Sequence, residues 1–127
     1  MSYVNAIYVG AGAFVGANLR YGVGLLSTRM MPAAGAYAGT FVVNVVGAFL
    51  LATLLAWFDR QIDMPPQARL LLATGFFGSF TTFSTFAHEG VALYRGGNLW
   101  AAMGYIIGTN VVGVVAVFGG IWLGNRL

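Results

Sequence analysis

An all-α integral membrane protein of four helices is the fold class this sequence predicts, and three observations predict it. Of its 127 residues, 59% are hydrophobic and only 7% charged, whereas soluble domains carry about 25% charged residues. The charges punctuate four long apolar stretches, each near or above the roughly 20 residues needed to cross about 30 Å of hydrocarbon. Within the third stretch, Gly75 to Phe86 reads GFFGSFTTFSTF. Glycines, hydroxyls and phenylalanines are concentrated there, where most membrane spans are runs of Leu, Val and Ala.

The first stretch runs from about Tyr3 to Gly24, with no charge before Arg20. It lacks the cationic start and cleavage pattern of a signal peptide, so it is expected to stay in the membrane. The second lies within Ala33 to Phe58 and ends at the turn Asp59-Arg60-Gln61-Ile62-Asp63, closed by Pro65 and Pro66. The third spans about Arg69 to Ala92 and the fourth about Leu99 to Leu123. The expectation is one domain over residues 1–127, with helices near 3–24, 34–58, 69–92 and 99–124 and short loops. Glycines four apart at Gly12 and Gly16, Gly35 and Gly39, Gly104 and Gly108, and Gly120 and Gly124 favour close helix packing.

All six basic residues are arginines, and they divide evenly between the two sides. Arg60, Arg69 and Arg126 fall on one side; Arg20, Arg29 and Arg95 fall on the other. The positive-inside rule therefore has no bias to act on, and insertion in both orientations as an antiparallel homodimer is the expected consequence. Four thin helices rich in glycine do not readily enclose a polar route, whereas two copies do, with sites near their interface.

Several function classes are excluded. The arginines are scattered rather than clustered, which removes nucleic-acid binding despite a net charge of +3. With no cysteine there is no disulfide, thiolate metal site or thiol redox chemistry. His88 and Glu89 are too few for a metal centre, which needs three or more protein ligands. Ser84 has His88 one turn away on the same helix, but no third group orients the histidine, so hydrolysis is not supported.

A helix in hydrocarbon must satisfy its own backbone, and irregular backbone survives there only when buried in protein or lining a cavity. Gly75, Gly78, Ser79, Thr81 and Thr82 weaken the third helix, predicting a break near Gly78 to Thr81. Half-helices meeting in mid-membrane expose carbonyls suited to a cation and amides suited to an anion. Beyond the break, Thr81, Ser84, Thr85 and His88 are spaced for one helical face, and Phe83 and Phe86 for another edge. On the second helix Thr40, Asn44 and Gly47 form a stripe. Asn44 must face protein or a cavity, and spacing leaves open an anion-donor role and an interhelical hydrogen bond. On the fourth helix Tyr105 and Thr109 place two hydroxyls on one face. Arg20 either snorkels to headgroups or lines a positive entrance. Donors abound and acids are few, and ring edges carry partial positive charge. A small anion is favoured over a cation.

Gly75 to Phe86 closely resembles the signature of the Fluc (CrcB) fluoride channels. Gly16-Ala17-Asn18-Leu19-Arg20-Tyr21 is similar to that family's GAxxRY, and Gly39-Thr40 through Asn44 and Gly47 to its GTxxVNxxG. The resemblance spans the chain and implies a passive, fluoride-selective channel in the bacterial inner membrane, one that exports cytoplasmic fluoride and gives fluoride resistance. It implies an antiparallel homodimer with two pores. Phe83 and Phe86 would form a phenylalanine box, Asn44 the amide donor beside it, and Ser84, Thr85 and Tyr105 a polar track. Glu89 would lie near the far end of that track and Arg20 in an electropositive vestibule. A structural sodium ion would sit at the dimer centre, held by the backbone carbonyls of Gly78 and Thr81. The family's fourth-helix hydroxyls are met at Tyr105 and Thr109, but Gly113 follows one turn later.

Two other readings remain in view. A dual-topology exporter of drug cations requires an intramembrane acid, and the chain has none before Asp59. A structural membrane subunit accounts for the glycine pairs but not for the hydroxyls around Phe83 and Phe86.

Overall fold

The computed structural model describes residues 2–127. Helix α1 spans Tyr3–Met30 and α2 spans Gly35–Phe58. The third crossing has two parts. Its first half, α3 (residues 66–80), is α-helical at Pro66–Arg69, π-helical at Leu70–Phe77 and α-helical again at Gly78–Phe80. Its second half, α4, spans Phe83–Arg95, and α5 spans Leu99–Gly124.

The ends of the elements have local causes. α1 continues past the expected stop at Gly24, because helical glycine costs only about 1 kcal/mol; it ends just before Pro32, which disfavours helix in the preceding residue. α3 begins three residues earlier than expected because Pro66 occupies the first turn, where its missing N–H is no loss. α4 runs on to Arg95 and is closed by Gly96 and Gly97, the latter at φ 83°. Asn98 then caps α5 by accepting from the Ala101 amide at 3.0 Å.

α2, the whole third crossing (Pro66–Arg95) and α5 are each long and apolar enough to span a membrane. α1 is long enough but more polar, carrying Asn5, Asn18 and Arg20, and it packs chiefly against α3 and α2. Two close crossings between non-consecutive helices set the geometry, and a third lies beside the α1–α2 turn, where a Cβ at Gly35 would collide with the Ser27 carbonyl. Between α1 and α3, a Cβ at Gly12 or Gly16 would collide with the backbone carbonyl of Leu71 or Phe76, and one at Gly75 would lie 2.5 Å from the Val9 oxygen. Between α2 and α5, a Cβ at Gly120 or Gly124 would collide with the carbonyl of Phe49 or Thr53. Lipid is as apolar as leucine, so such backbone proximity, with its dispersion gain, holds helices together where hydrophobic burial cannot.

A small core of Val43, Phe77 and Phe80 lies where α2 meets the end of α3. Phe76 stacks on Phe80 with ring centroids 5.8 Å apart. At the end of the bundle that holds Arg60, Arg69 pairs with Asp59 and Arg60 donates to the Asn125 carbonyl. Arg126 lies 3.7 Å from the Trp122 ring centre, a cation–π contact.

Candidate functional site

The helix break is present but lies at the threonine end of its expected range. Gly78 is helical, with φ −61° and ψ −29°, whereas Thr81 (φ −84°, ψ 160°) and Thr82 (φ −150°, ψ 118°) are extended. Glycine alone therefore does not break the helix. Thr81 donates its hydroxyl back to the Phe77 carbonyl at 2.9 Å and closes α3. Thr82 opens α4: its Oγ1 accepts from the Thr85 amide at 3.3 Å and donates to the Thr85 hydroxyl at 3.0 Å.

The stripe on α2 meets this segment at three points. The Asn44 carboxamide pairs with the Thr82 backbone in both directions, accepting its N–H at 2.8 Å and donating Nδ2 to its carbonyl at 3.0 Å. A carboxamide is a peptide group carried on a side chain, so it satisfies both polar groups of an extended residue that has left its helix. Thr40, buried at 7% exposure, donates to Glu89 Oε1 at 3.0 Å. Gly47 makes room for the break, since a Cβ there would overlap Thr81 Cγ2 and approach Phe80 Cδ1 to 3.2 Å.

The other carboxylate oxygen of Glu89 accepts the Tyr105 hydroxyl at 2.6 Å. Glu89 thus joins α2, α4 and α5, with a hydroxyl on each oxygen. Tyr105 in turn packs edge-on against Tyr37, centroids 5.7 Å apart, and at a tilt against Phe86 at 5.3 Å.

The two phenylalanines differ. Phe86 is 6% exposed and packs on Tyr105; Phe83 is 78% exposed, its ring centroid 6.1 Å from that of Phe86. Thr81 does not share a helical face with Ser84, Thr85 and His88, because it precedes the cap of α4 and belongs to the extended pair. Ser84, Thr85 and His88 are all exposed.

Three open clefts surround this centre. One of 480 Å³ is lined by Arg20, Tyr21, Thr40, Thr82, Thr85 and Glu89, among others. A second of 310 Å³ is bounded by Asn44, Thr82, Phe83, Phe86 and Thr109, and a third of 300 Å³ includes Tyr37, Tyr105 and Thr109. Thr82 borders the first two and Thr109 the last two. Thr109 is 7% exposed, and its hydroxyl oxygen has no partner among the described residues. Ser84 lies outside these three clefts.

The amide ends of α4 point at the break, and the partial positive charge of a helix N-terminus adds to the donors there. The spacing of Thr40 and Gly47 with Asn44 identifies their stripe, but their partners Glu89 and Thr81 lie far off in sequence. Thr82 carries the one available local signal, a threonine three residues ahead of the Thr85 amide that it caps.

Fold and site together define a small multi-pass membrane protein whose polar groups gather round an interrupted helix inside its bundle. The chain belongs to the CrcB family: residues 7–121 match the family described as CrcB-like protein, Camphor Resistance (CrcB). It is 45% identical over 127 residues to a Hydrogenobaculum protein named fluoride-specific ion channel FluC, covering the whole of both chains. Proteins of the same name from Chloroflexus aurantiacus and Agrobacterium fabrum are 41% identical over 121 residues and 38% over 124, covering 95% and 98% of each chain respectively. The family resemblance carried by the motifs is borne out.

Proposed function

We propose that this chain is a passive fluoride channel of the bacterial inner membrane, exporting cytoplasmic fluoride and so giving fluoride resistance. The observation that carries the reading is the buried, unpartnered Thr109 hydroxyl beside Asn44, Thr82, Phe83 and Phe86. A buried donor without a partner is unfavourable by about 1–3 kcal/mol, and a turn of the Thr109 side chain towards the adjoining cleft lets a small passing anion supply the acceptor. The names of relatives 38–45% identical over nearly the full length identify that anion as fluoride.

The chain acts as an antiparallel homodimer with two pores. The even division of arginines supports this, as do the exposed Phe83 and clefts that one copy leaves open. Phe83 and Phe86 present ring edges to the ion, with Asn44, Ser84, Thr85, Tyr105 and Thr109 along its route, Arg20 at the entrance and Glu89 towards the end. A structural sodium ion fits the break. The Thr82 amide that would close on the Gly78 carbonyl in a continuous helix is bound by Asn44, and Thr81 turns its carbonyl out of helical register. Gly78 and Thr81 of two copies then offer four carbonyl oxygens, and a cation among them offsets their mutual repulsion.

The cation-exporter reading lacks a free acid. Glu89 is hydrogen-bonded through both oxygens, Asp59 pairs with Arg69, and Asp63 lies in an exposed loop. Efflux from liposomes, followed by fluoride and chloride electrodes in parallel with a potassium ionophore present, tests the proposal. Fast fluoride release without chloride release is expected. Absence of fluoride release from well-folded protein overturns it.

A further inference from the structure

We propose that Asn44 is a positioning residue that holds the third helix open from outside, and that by doing so it sets the Gly78 carbonyl free. In an uninterrupted α-helix the Thr82 amide bonds to the Gly78 carbonyl, four residues back. Here that amide is 2.8 Å from Asn44 Oδ1, and the carboxamide also binds the Thr82 carbonyl at 3.0 Å. The local signals are modest: the Thr82 hydroxyl caps the Thr85 amide at 3.3 Å, a contact worth about 1 kcal/mol, and no residue forbids a continuous helix. Gly78 has helical angles, and neither Thr81 nor Thr82 has a positive φ. Threonine is only mildly unfavourable in a helix, and both extended residues are open to helical angles.

The balance is therefore a competition for one proton. With Asn44 present, both polar groups of Thr82 are paired and Gly78 loses its partner. Without it, leaving the Thr82 amide unpaired in hydrocarbon is unfavourable by about 1–3 kcal/mol, and re-forming the helical bond to Gly78 removes that penalty. The register of α2 keeps the latch in place. Val43, beside Asn44, is 1% exposed in the core, and Gly47 one turn on admits Thr81. Asn44 is thereby committed to the backbone through its oxygen and one N–H, leaving one N–H over. The consequence for sodium rests on the proposed function: the latch supplies the free carbonyl that a cation at the dimer centre requires.

Two labels isolate the atoms concerned. Gly78-Ser79 is the only Gly–Ser step in the chain and Thr81-Thr82 the only Thr–Thr step. Carbonyl-¹³C glycine with ¹⁵N serine therefore reports the Gly78 carbonyl alone, and carbonyl-¹³C, ¹⁵N threonine reports the Thr82 amide alone. In the full-length protein, Asn44→Val is expected to move the Gly78 carbonyl resonance downfield, as it gains a hydrogen bond. Asn44→Asp keeps an oxygen facing the Thr82 amide but adds charge, so the Thr82 proton resonance is expected to move downfield while Gly78 stays at its wild-type position. An unchanged Gly78 carbonyl in Asn44→Val, or an unchanged Thr82 amide in Asn44→Asp, overturns the latch; the second variant decides the matter should the first not fold. Dimer stability is measured alongside, with sodium replaced by N-methylglucamine. Wild-type protein is expected to lose stability in that exchange and Asn44→Val to show no such dependence. Sodium-independent wild-type stability, with both resonances behaving as stated, refutes the sodium reading and leaves the latch standing.

Discussion

Gly47→Ala adds one methyl group where the structure has no room for it. The new Cβ falls inside the van der Waals envelope of Thr81 Cγ2 and 3.2 Å from Phe80 Cδ1. Three responses are available. Thr81 rotates and gives up its 2.9 Å hydrogen bond to the Phe77 carbonyl; α2 retreats; or the extended pair shifts. Retreat of α2 is blocked on its far side, where Gly120 and Gly124 of α5 already touch its carbonyls. Loss of the hydrogen bond is worth about 1 kcal/mol and unrelieved overpacking about 1–3 kcal/mol, so a destabilisation of about 1–3 kcal/mol is expected. Equilibrium unfolding in mixed detergent–SDS micelles measures it, with liposome efflux falling in parallel as Thr82 and Phe83 are displaced. Two controls make the test specific. Gly10→Ala, where a Cβ meets nothing within 4 Å, is expected to stabilise by up to about 1 kcal/mol through helix propensity. Thr81→Ser removes the offending methyl, so Gly47→Ala with Thr81→Ser is expected to recover most of the loss. Wild-type stability in Gly47→Ala, or no recovery in the pair, refutes the argument that α2 shapes the break through this contact.

Other outcomes follow from the same geometry. Thr109→Val removes a buried hydroxyl without a partner and is expected to stabilise the chain by about 1 kcal/mol while slowing fluoride efflux; unchanged efflux would remove Thr109 from the route. Tyr105→Phe deletes a 2.6 Å bond to a carboxylate and is expected to destabilise by about 1.5–3 kcal/mol, read by the same unfolding assay. Phe86→Ile and Phe83→Ile should both cut fluoride flux, but Phe86, buried within one chain, should also destabilise the fold, whereas Phe83, 78% exposed on a single copy, should act at the proposed dimer interface. Wild-type flux in both variants refutes the aromatic role.

The sequence shows the helices because apolar length is a local property, and Asp59 to Pro66 marks its own turn. The existence of a break is legible for a similar reason, since Gly, Ser and Thr within twelve residues weaken one helix. Its position is not. Asn44 is 38 residues from Thr82, and nothing in the threonine pair reveals which of its amides a distant carboxamide will take. The same holds for Glu89: the family resemblance places it near the end of a polar track, while its role depends on Thr40 and Tyr105 arriving from two other helices. Periodicity also groups Thr81 with Ser84 and Thr85, an inference that fails once the extended residues reset the helical phase.

The two glycine seams carry a consequence for biogenesis. Each joins elements that are not consecutive: α1 meets α3, and α2 meets α5. During synthesis α2 therefore enters the bilayer ahead of its seam partner and of the segment that binds its polar stripe. Until α4 follows, the Asn44 carboxamide and the Thr40 hydroxyl are without Thr82 and Glu89 in surroundings that offer no water. The interval is a vulnerable one, in which a half-made chain exposes groups any neighbouring helix can bind. Short loops limit its duration, because few residues separate one crossing from the next.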